Sequence, residues 1–336
     1  MEKKLATARP RYFYELTISS SPHVHSPVTT QTIMRDVLIA LLPVLIGSVY
    51  FFGFRALTVT VLSAAACVFF EWAWCRLMKV ADHTYDLSAA VTGMLLAFVC
   101  PVTIPYWTII LGDFFAIILV KMLFGGIGKN FVNPALAGRA FMFSWPVLMT
   151  GWTKPGFDSA VSIFAPDAVS TATPLYEMSQ GQLPGLRALF FGNIPGCIGE
   201  TSVLLLLIGF VYLLIRRVIT ARIPLSYILT VAVITFLFPQ KGQNGAEWML
   251  CQLFSGGLML GAIFMATDYV TSPLTHKRQI IYGIGCGVIT VMIRYFGSYP
   301  EGVSYAILVM NTCVVLLDRL GRPTKFGAAK KEAAKK

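Results

Sequence analysis

Ala56–Val80 reads ALTVTVLSAAACVFFEWAWCRLMKV, a run with no charged side chain before Glu71 and no basic one before Arg76. A helix needs about 20 mostly apolar residues to cross roughly 30 Å of hydrocarbon, and this run is long enough. The chain repeats the pattern at Asp36–Phe54, Leu87–Cys100, Ile104–Phe124, Pro134–Thr150, Glu200–Ile215, Ile223–Phe238, Trp248–Thr267, Gln279–Phe296 and Ser304–Leu320, of which Leu87–Cys100 is short. With 56% hydrophobic and 13% charged residues over 336 positions, the composition excludes a soluble globular class. A membrane barrel would alternate polarity in ten-residue segments, and any other backbone in lipid must be helical. The expectation is an all-α integral membrane protein with about ten transmembrane helices.

Basic residues give the orientation. If Lys3, Lys4, Arg9 and Arg11 are cytoplasmic, alternating spans place Arg76, Lys79, Lys129, Arg216, Arg217, Arg222, Lys277, Arg278 and the lysine-rich tail on the same side. The far side keeps only Arg55, Lys154, Arg187, Lys241 and Arg294, the asymmetry that the positive-inside rule demands. The chain then divides into a cytoplasmic segment 1–35, a five-helix membrane repeat 36–150, an extracytoplasmic loop 151–199, a second five-helix repeat 200–320 and a basic cytoplasmic tail 321–336. The net charge of +11 is therefore a topology signal and an attraction to anionic lipid. It is no nucleic-acid footprint, because no loop interleaves basic residues with stacking aromatics. The tail can dock on lipid headgroups or a neighbouring protein of the same assembly, or fray into solvent. The first 35 residues are polar and hold no apolar core of a cleavable signal.

Seven cysteines lack Cys-x-x-Cys spacing and six fall inside spans, which reads as small apolar packing rather than cluster or zinc ligation. His23, His25, His83 and His276 are scattered among loops and termini, so no metal site is expected, although His23 and His25 would share one side of an extended segment.

Five spans on each side of the long loop imply that two halves of common origin face opposite ways across the membrane. Inverted repeats place their site near the midplane, where discontinuous helices meet. Gly93–Pro101 running into Thr103-Ile104-Pro105, and Leu258–Met265 running into Asp268 and Thr271-Ser272-Pro273, are matching short apolar segments ended by proline. Two junctions stand out. Gly125-Gly126-Ile127-Gly128-Lys129-Asn130-Phe131-Val132-Asn133-Pro134-Ala135 offers glycines for close backbone approach and two amides three residues apart. Amides donate and accept, as a ring edge that alternates carbonyls and N–H groups requires. Ala266–Pro273 places Asp268 among hydroxyls at a span end. Helix capping and turn formation explain both junctions equally well.

Ionisable groups inside spans are costly and point to function. Glu71, Asp113, Arg139 and Asp318 are the candidates. Glu71, beside Trp72 and Trp74, either serves the ion path or snorkels to the interface; Asp113 is nearer mid-span; Asp318 reads as a charge-paired helix end next to Arg319 and Arg322. Glu71 and Asp113 are the carboxylates proposed for a cation path.

Asp167-Ala168-Val169-Ser170-Thr171-Ala172-Thr173, followed by Pro174-Leu175, resembles the flavinylation motif in which a threonine hydroxyl is joined to FMN through a phosphodiester bond. Lys129–Ala135, Met265–Pro273 and Ser21-Pro22-His23 are similar to patterns of the same family. It comprises the RnfD component of the Rnf ion-translocating ferredoxin:NAD oxidoreductase and its counterpart, the B component of the sodium-pumping NADH:quinone oxidoreductase. The likeness spans essentially the whole chain, with four motifs in order. Thr171 departs from it, standing where glycine is more frequent and adding a rival hydroxyl, but the threonine directly after Ala172 is the acceptor of the pattern. The resemblance thus implies covalent FMN on Thr173, with Asp167, Ser170 and Ala172 completing the motif, and a noncovalent riboflavin or FMN at Asn130, Asn133 and Asp268.

The resemblance further implies an electron-carrying component of a bacterial inner-membrane complex that moves Na+ or H+. Its termini would be cytoplasmic and its Thr173 loop outside, where a flavin transferase acts. Implied partners are other membrane and peripheral subunits, including a second covalent-flavin subunit and iron-sulfur subunits. The short N-terminal segment and the sequence Ser-Thr-Ala-Thr favour the Rnf component over that of the quinone reductase. The chain shows no nicotinamide fingerprint and no cluster ligands, so catalysis belongs to the assembly. A solute channel or secondary transporter with inverted repeats is the alternative of another class, and it would need no hydroxyl cluster in an outer loop.

Overall fold

A computed structural model describes residues 28–80, 84–153, 155, 171–200, 202–297 and 301–319. Among the described residues there is no strand, as an all-α chain requires. Helix α1 (Thr30–Phe52) begins at a reciprocal cap, Thr29 N–H donating to Thr32 Oγ1 at 3.0 Å and Thr32 N–H donating to Thr29 Oγ1 at 3.3 Å. Gly53, at φ 78°, ends α1 and lets α2 (Phe54–Met78) turn back beside it. Then follow α3 (Ser88–Phe98), α4 (Tyr106–Phe114, continuing with π winding through Met122), α5 (Pro134–Met142) and the single turn α6 (Pro146–Met149). The central connection carries α7 (Pro174–Ser179) and α8 (Leu186–Phe191). The second half holds α9 (Val203–Ile215), α10 (Arg222–Leu237), α11 (Gly245–Phe254), α12 (Leu258–Leu260, continuing as a π turn to Met265), α13 (His276–Phe296) and α14 (Val303–Arg319).

Three of these, α1, α2 and α13, are each long and apolar enough to cross a membrane, and α11 with α12 makes a fourth candidate span bent by 64°. The expected run Trp248–Thr267 is therefore broken. Ser255 is extended, and Gly256 and Gly257 both sit at φ 65°, a left-handed pair that a helix cannot contain. The expected Pro134–Thr150 is likewise interrupted at Phe143–Trp145, because Pro146 disfavours helical geometry at Trp145, whose φ, ψ are −116°, 71°. The segment expected to be short, Leu87–Cys100, is the half-length helix α3, and α12 is a second short helix.

The outer surface is apolar. Helix α10 buries Tyr227, Val231 and Thr235 on one face and exposes Leu225, Leu229, Val233 and Phe236 on the other. A helix apolar all round belongs in lipid. Inside, α1 packs on α9, α2 on α3 and α4, α10 on α13, and α5 on α14. Small residues set these distances: a Cβ on Gly93 of α3 would lie 2.6 Å from the Ser63 carbonyl oxygen of α2, and one on Gly209 of α9 would lie 2.4 Å from that of Ala40 in α1. Two residues read as far-face charges are internal instead. Arg55, 1% exposed, donates to the Val102 and Ile104 carbonyls, and Arg294 donates to the carbonyls of Gln252, Ser255, Gly256 and Glu301. Both hold irregular backbone in place, so their charges follow the break points rather than the membrane face.

Candidate functional site

Asn130, Asn133 and Asp268 line one cavity, together with Ser88 at the start of α3, Lys121 on the π segment, and Met34 and Val37 of α1. Its cavity volume is about 100 Å³, smaller than an ordinary small-molecule site, and it opens to the outside. The two junctions singled out in the sequence are bonded to one another here. Asn133 Oδ1 caps α5 by accepting from Ala135 N–H at 3.0 Å, while its Nδ2 donates 3.2 Å to the Met265 carbonyl at the end of α12. Capping and cross-linking are therefore done by one side chain. Asn130 donates from Nδ2 to the Val132 carbonyl at 3.1 Å, and Asp268 is anchored by the Thr271 hydroxyl at 3.1 Å.

Asn311 of α14, which the sequence reading missed, ties the arrangement together. Oriented to satisfy its neighbours, its amide accepts from Asn133 N–H at 3.1 Å and donates to the Thr271 carbonyl at 3.3 Å and to Tyr282 Oη at 2.7 Å. An asparagine in mid-helix at 1% exposure is the signal that could have revealed it.

Lys121 was also missed. Its ammonium donates 2.9 Å to both Glu71 oxygens and 2.8 Å to Ser88 Oγ, with Glu71 2% and Lys121 3% exposed. Glu71 does not snorkel; it is locked in a buried pair. Asp113 is fully buried, its Oδ1 meeting Ser63 Oγ at 2.7 Å and Cys67 Sγ at 3.3 Å, and its Oδ2 has no partner among the described residues. Asp318 pairs with Arg278 of α13 at 2.8 Å, so its partner comes from another helix rather than from the adjacent Arg319.

A second pocket is lined by Thr173, Pro174, Leu175, Glu200, Gly256 and Glu301. Thr173 is half-buried, and its Oγ1 caps α7 by accepting from Tyr176 N–H at 3.3 Å, which leaves its own proton available. The rival Thr171 donates its hydroxyl to the Trp152 carbonyl at 3.3 Å. Ala172 is exposed, whereas Asp167 and Ser170 lie outside the described residues, as do Ser21-Pro22-His23, His25, His83 and the basic tail. Behind the pocket, Arg139 bonds Ser304 at 2.8 Å and pairs with both Glu200, at 3.5 Å, and Glu301. Cys197 Sγ lies near both carboxylates and donates to the Val99 carbonyl at 3.2 Å.

Three short helices run between the pockets. α3 starts at Ser88 in the first and ends where Gly199 N–H meets the Phe98 carbonyl, one residue from Glu200; α12 follows Gly257, which abuts Glu200, and ends in the first. α5 carries Asn133 at its N-terminus and Arg139 six residues on, roughly 9 Å along its axis.

Residues 17–327 match the model of the NQR2, RnfD, RnfE family. The chain belongs to that family. It is 45% identical to the D component of the Na(+)-translocating ferredoxin:NAD(+) oxidoreductase complex of Acetobacterium woodii, over 94% of this chain and 96% of that one. It is 41% identical to the D component of the proton-translocating ferredoxin:NAD(+) oxidoreductase complex of Clostridium ljungdahlii, over 93% and 96%. With the D component of the ion-translocating oxidoreductase complex of Actinobacillus succinogenes it shares 35% identity over 92% and 97%. These relatives are subunits of oxidoreductase complexes, and the apolar exterior of this family member is that of a membrane protein.

Proposed function

We propose that this chain is the component of an ion-translocating ferredoxin:NAD oxidoreductase complex that passes electrons between FMN esterified to Thr173 and a noncovalent riboflavin or FMN in the Asn130–Asn133–Asp268 cavity. The observation that carries the reading is the convergence of those three residues, 138 positions apart in sequence at the extremes, on one cavity joined by short helices to the Thr173 pocket. The lining chemistry suits a flavin, and the cavity, at about 100 Å³, has to widen to admit the ring. The cavity mixes apolar walls with amide, hydroxyl, carboxylate and ammonium groups, which matches a flat ring with alternating donors and acceptors. The Thr173 proton and its exposed neighbour Ala172 suit attack by this hydroxyl on the phosphorus of an FMN phosphoanhydride, with the outer phosphate group leaving and the threonine proton passing to solvent, and Thr171 is committed to Trp152. Bound flavins would supply the electron chemistry; the chain positions them and tunes them by hydrogen bonds and burial.

In this reading the two halves are inverted five-helix repeats in the bacterial inner membrane. The opposite directions of α3 and α12, and the pairing of α2 with α4 and of α10 with α13, support the inversion. Both termini are cytoplasmic and the Thr173 loop is outside, within reach of a flavin transferase. A second covalent-flavin subunit and iron-sulfur subunits are the redox partners. Reduction of a flavin in a low-dielectric site favours entry of a cation, and Asp113 and the Glu71 pair are the groups to carry that coupling. The ion is Na+ or H+; relatives of nearly equal identity carry different ions in their names.

The test is in-gel flavin fluorescence of the denatured chain expressed with its transferase, followed by mass spectrometry of the residue 173 peptide. Wild type and Thr171→Ala should fluoresce and Thr173→Ala should be dark. A dark wild-type band would make a passive channel or transporter the better reading.

A further inference from the structure

Ser88 opens α3 at the wall of the first cavity and is 8% exposed. Its Oγ accepts from Lys121 Nζ at 2.8 Å, so the hydroxyl proton points elsewhere, and it meets no acceptor among the described residues. Lys121 also lines the cavity, on a stretch of π winding, and is held from behind by both oxygens of Glu71. π turns inside helices often mark functional positions because they aim a side chain that regular winding would not. An ammonium that donates to a hydroxyl polarises it, and the free N–H groups at the start of an eleven-residue helix add positive potential at the same place. Asn130 and Asp268 line the same cavity. The Ser88 hydroxyl, backed by the Lys121 ammonium and the helix start, is therefore a polarised donor in the cavity lining.

We propose that Glu71, Lys121 and Ser88 form a relay that presents a charge-assisted donor to the carbonyl edge of the flavin and stabilises the negative charge the ring gains on reduction. Ser88 is the contacting residue; Lys121 and Glu71 are positioning residues that act through it. The inference rests on the reading of this cavity as a flavin site. The relay binds the reduced ring more tightly than the oxidised one and so raises its reduction potential. No bond is made or broken: one electron arrives from the donor flavin, and the relay's protons stay on Ser88 and Lys121.

The experiment uses the intact complex purified from membranes. Noncovalent flavin is quantified after denaturation, and its midpoint potential is measured by spectroelectrochemical titration in wild type, Ser88→Ala, Ser88→Thr and the charge-neutral double variant Glu71→Gln/Lys121→Met. Ser88→Ala leaves the ion pair intact, so it decides the question if the double variant fails to assemble. The expected result is flavin retained in Ser88→Ala with its potential lowered by at least the equivalent of a tenfold change in relative affinity, about 59 mV for one electron. The double variant should shift the same way and Ser88→Thr should restore the wild-type value. Flavin present with an unchanged potential in Ser88→Ala overturns the relay alone. A wild-type complex without noncovalent flavin overturns the reading on which it rests.

Discussion

Ser63 Oγ stands 2.8 Å from the Gly93 carbonyl and 2.7 Å from Asp113 Oδ1, and one hydroxyl proton cannot serve two acceptors. The arrangement is satisfied when Asp113 carries a proton and donates it to Ser63. Asp113→Asn should accordingly assemble with wild-type Tm and lose a carboxylic-acid carbonyl band from the infrared spectrum; a destabilised variant with no band lost would show a carboxylate there. Glu71 and Lys121 behave differently. Lys121→Met strands a carboxylate at 2% exposure and should cost about 3–5 kcal/mol, whereas Glu71→Gln/Lys121→Met should recover most of it. Thermal unfolding of the purified complex checks this, and equal Tm values for the single and double variants would refute the pairing. Glu71 and Asp113 were legible as charges in apolar runs. Lys121 carried the same signal but sits near a span end, where a lysine ordinarily reaches for water, and only the packing of α4 on α2 brings its partner from 50 residues away.

The half-length helices owe their shape to punctuation that a sequence displays: Pro101 and Pro105 after α3, and Gly256-Gly257 before α12. Their depth is set by glycine. Gly93→Val would drive a side chain into the Ser63 and Ala64 backbone and should destabilise by about 1–3 kcal/mol, read as a loss of folded complex on heating. Asn133 separates two roles within one element. Asn133→Asp keeps the oxygen that caps α5 and loses the donor to Met265, while Asn133→Ala loses both. Capping alone is worth about 1 kcal/mol. Asn133→Asp should therefore retain most of the helix stability yet release the noncovalent flavin, which denaturing extraction measures; full flavin retention would show that the bridge between halves does not shape the cavity.

The two pockets and the three helices between them make one unit of the molecule, with the Glu200–Arg139–Glu301 cluster at one end and the Glu71–Lys121–Ser88 relay at the other. In the proposed function, coupling of electron flow to ion movement belongs to this unit. Neutralising Glu71, Asp113 and Asp268 one at a time should alter ions moved per electron in at least one variant, measured in vesicles with an ion-selective probe against NAD reduction. A fixed ratio in all three would remove these carboxylates from the ion path.

Composition and span length alone established a helical membrane chain, because the free energy of placing apolar residues in hydrocarbon depends on their number and order and not on their neighbours. The family resemblance marked Thr173, Asn130, Asn133 and Asp268, because by local chemistry alone capping and turn formation explain these residues equally well. Which buried charges meet was decided by tertiary structure. A carboxylate inside a membrane is tolerable only with a partner, and the partner's identity follows from how helices far apart in the chain pack, as with Lys121 for Glu71, Arg278 for Asp318, and Asn311 for the two junctions.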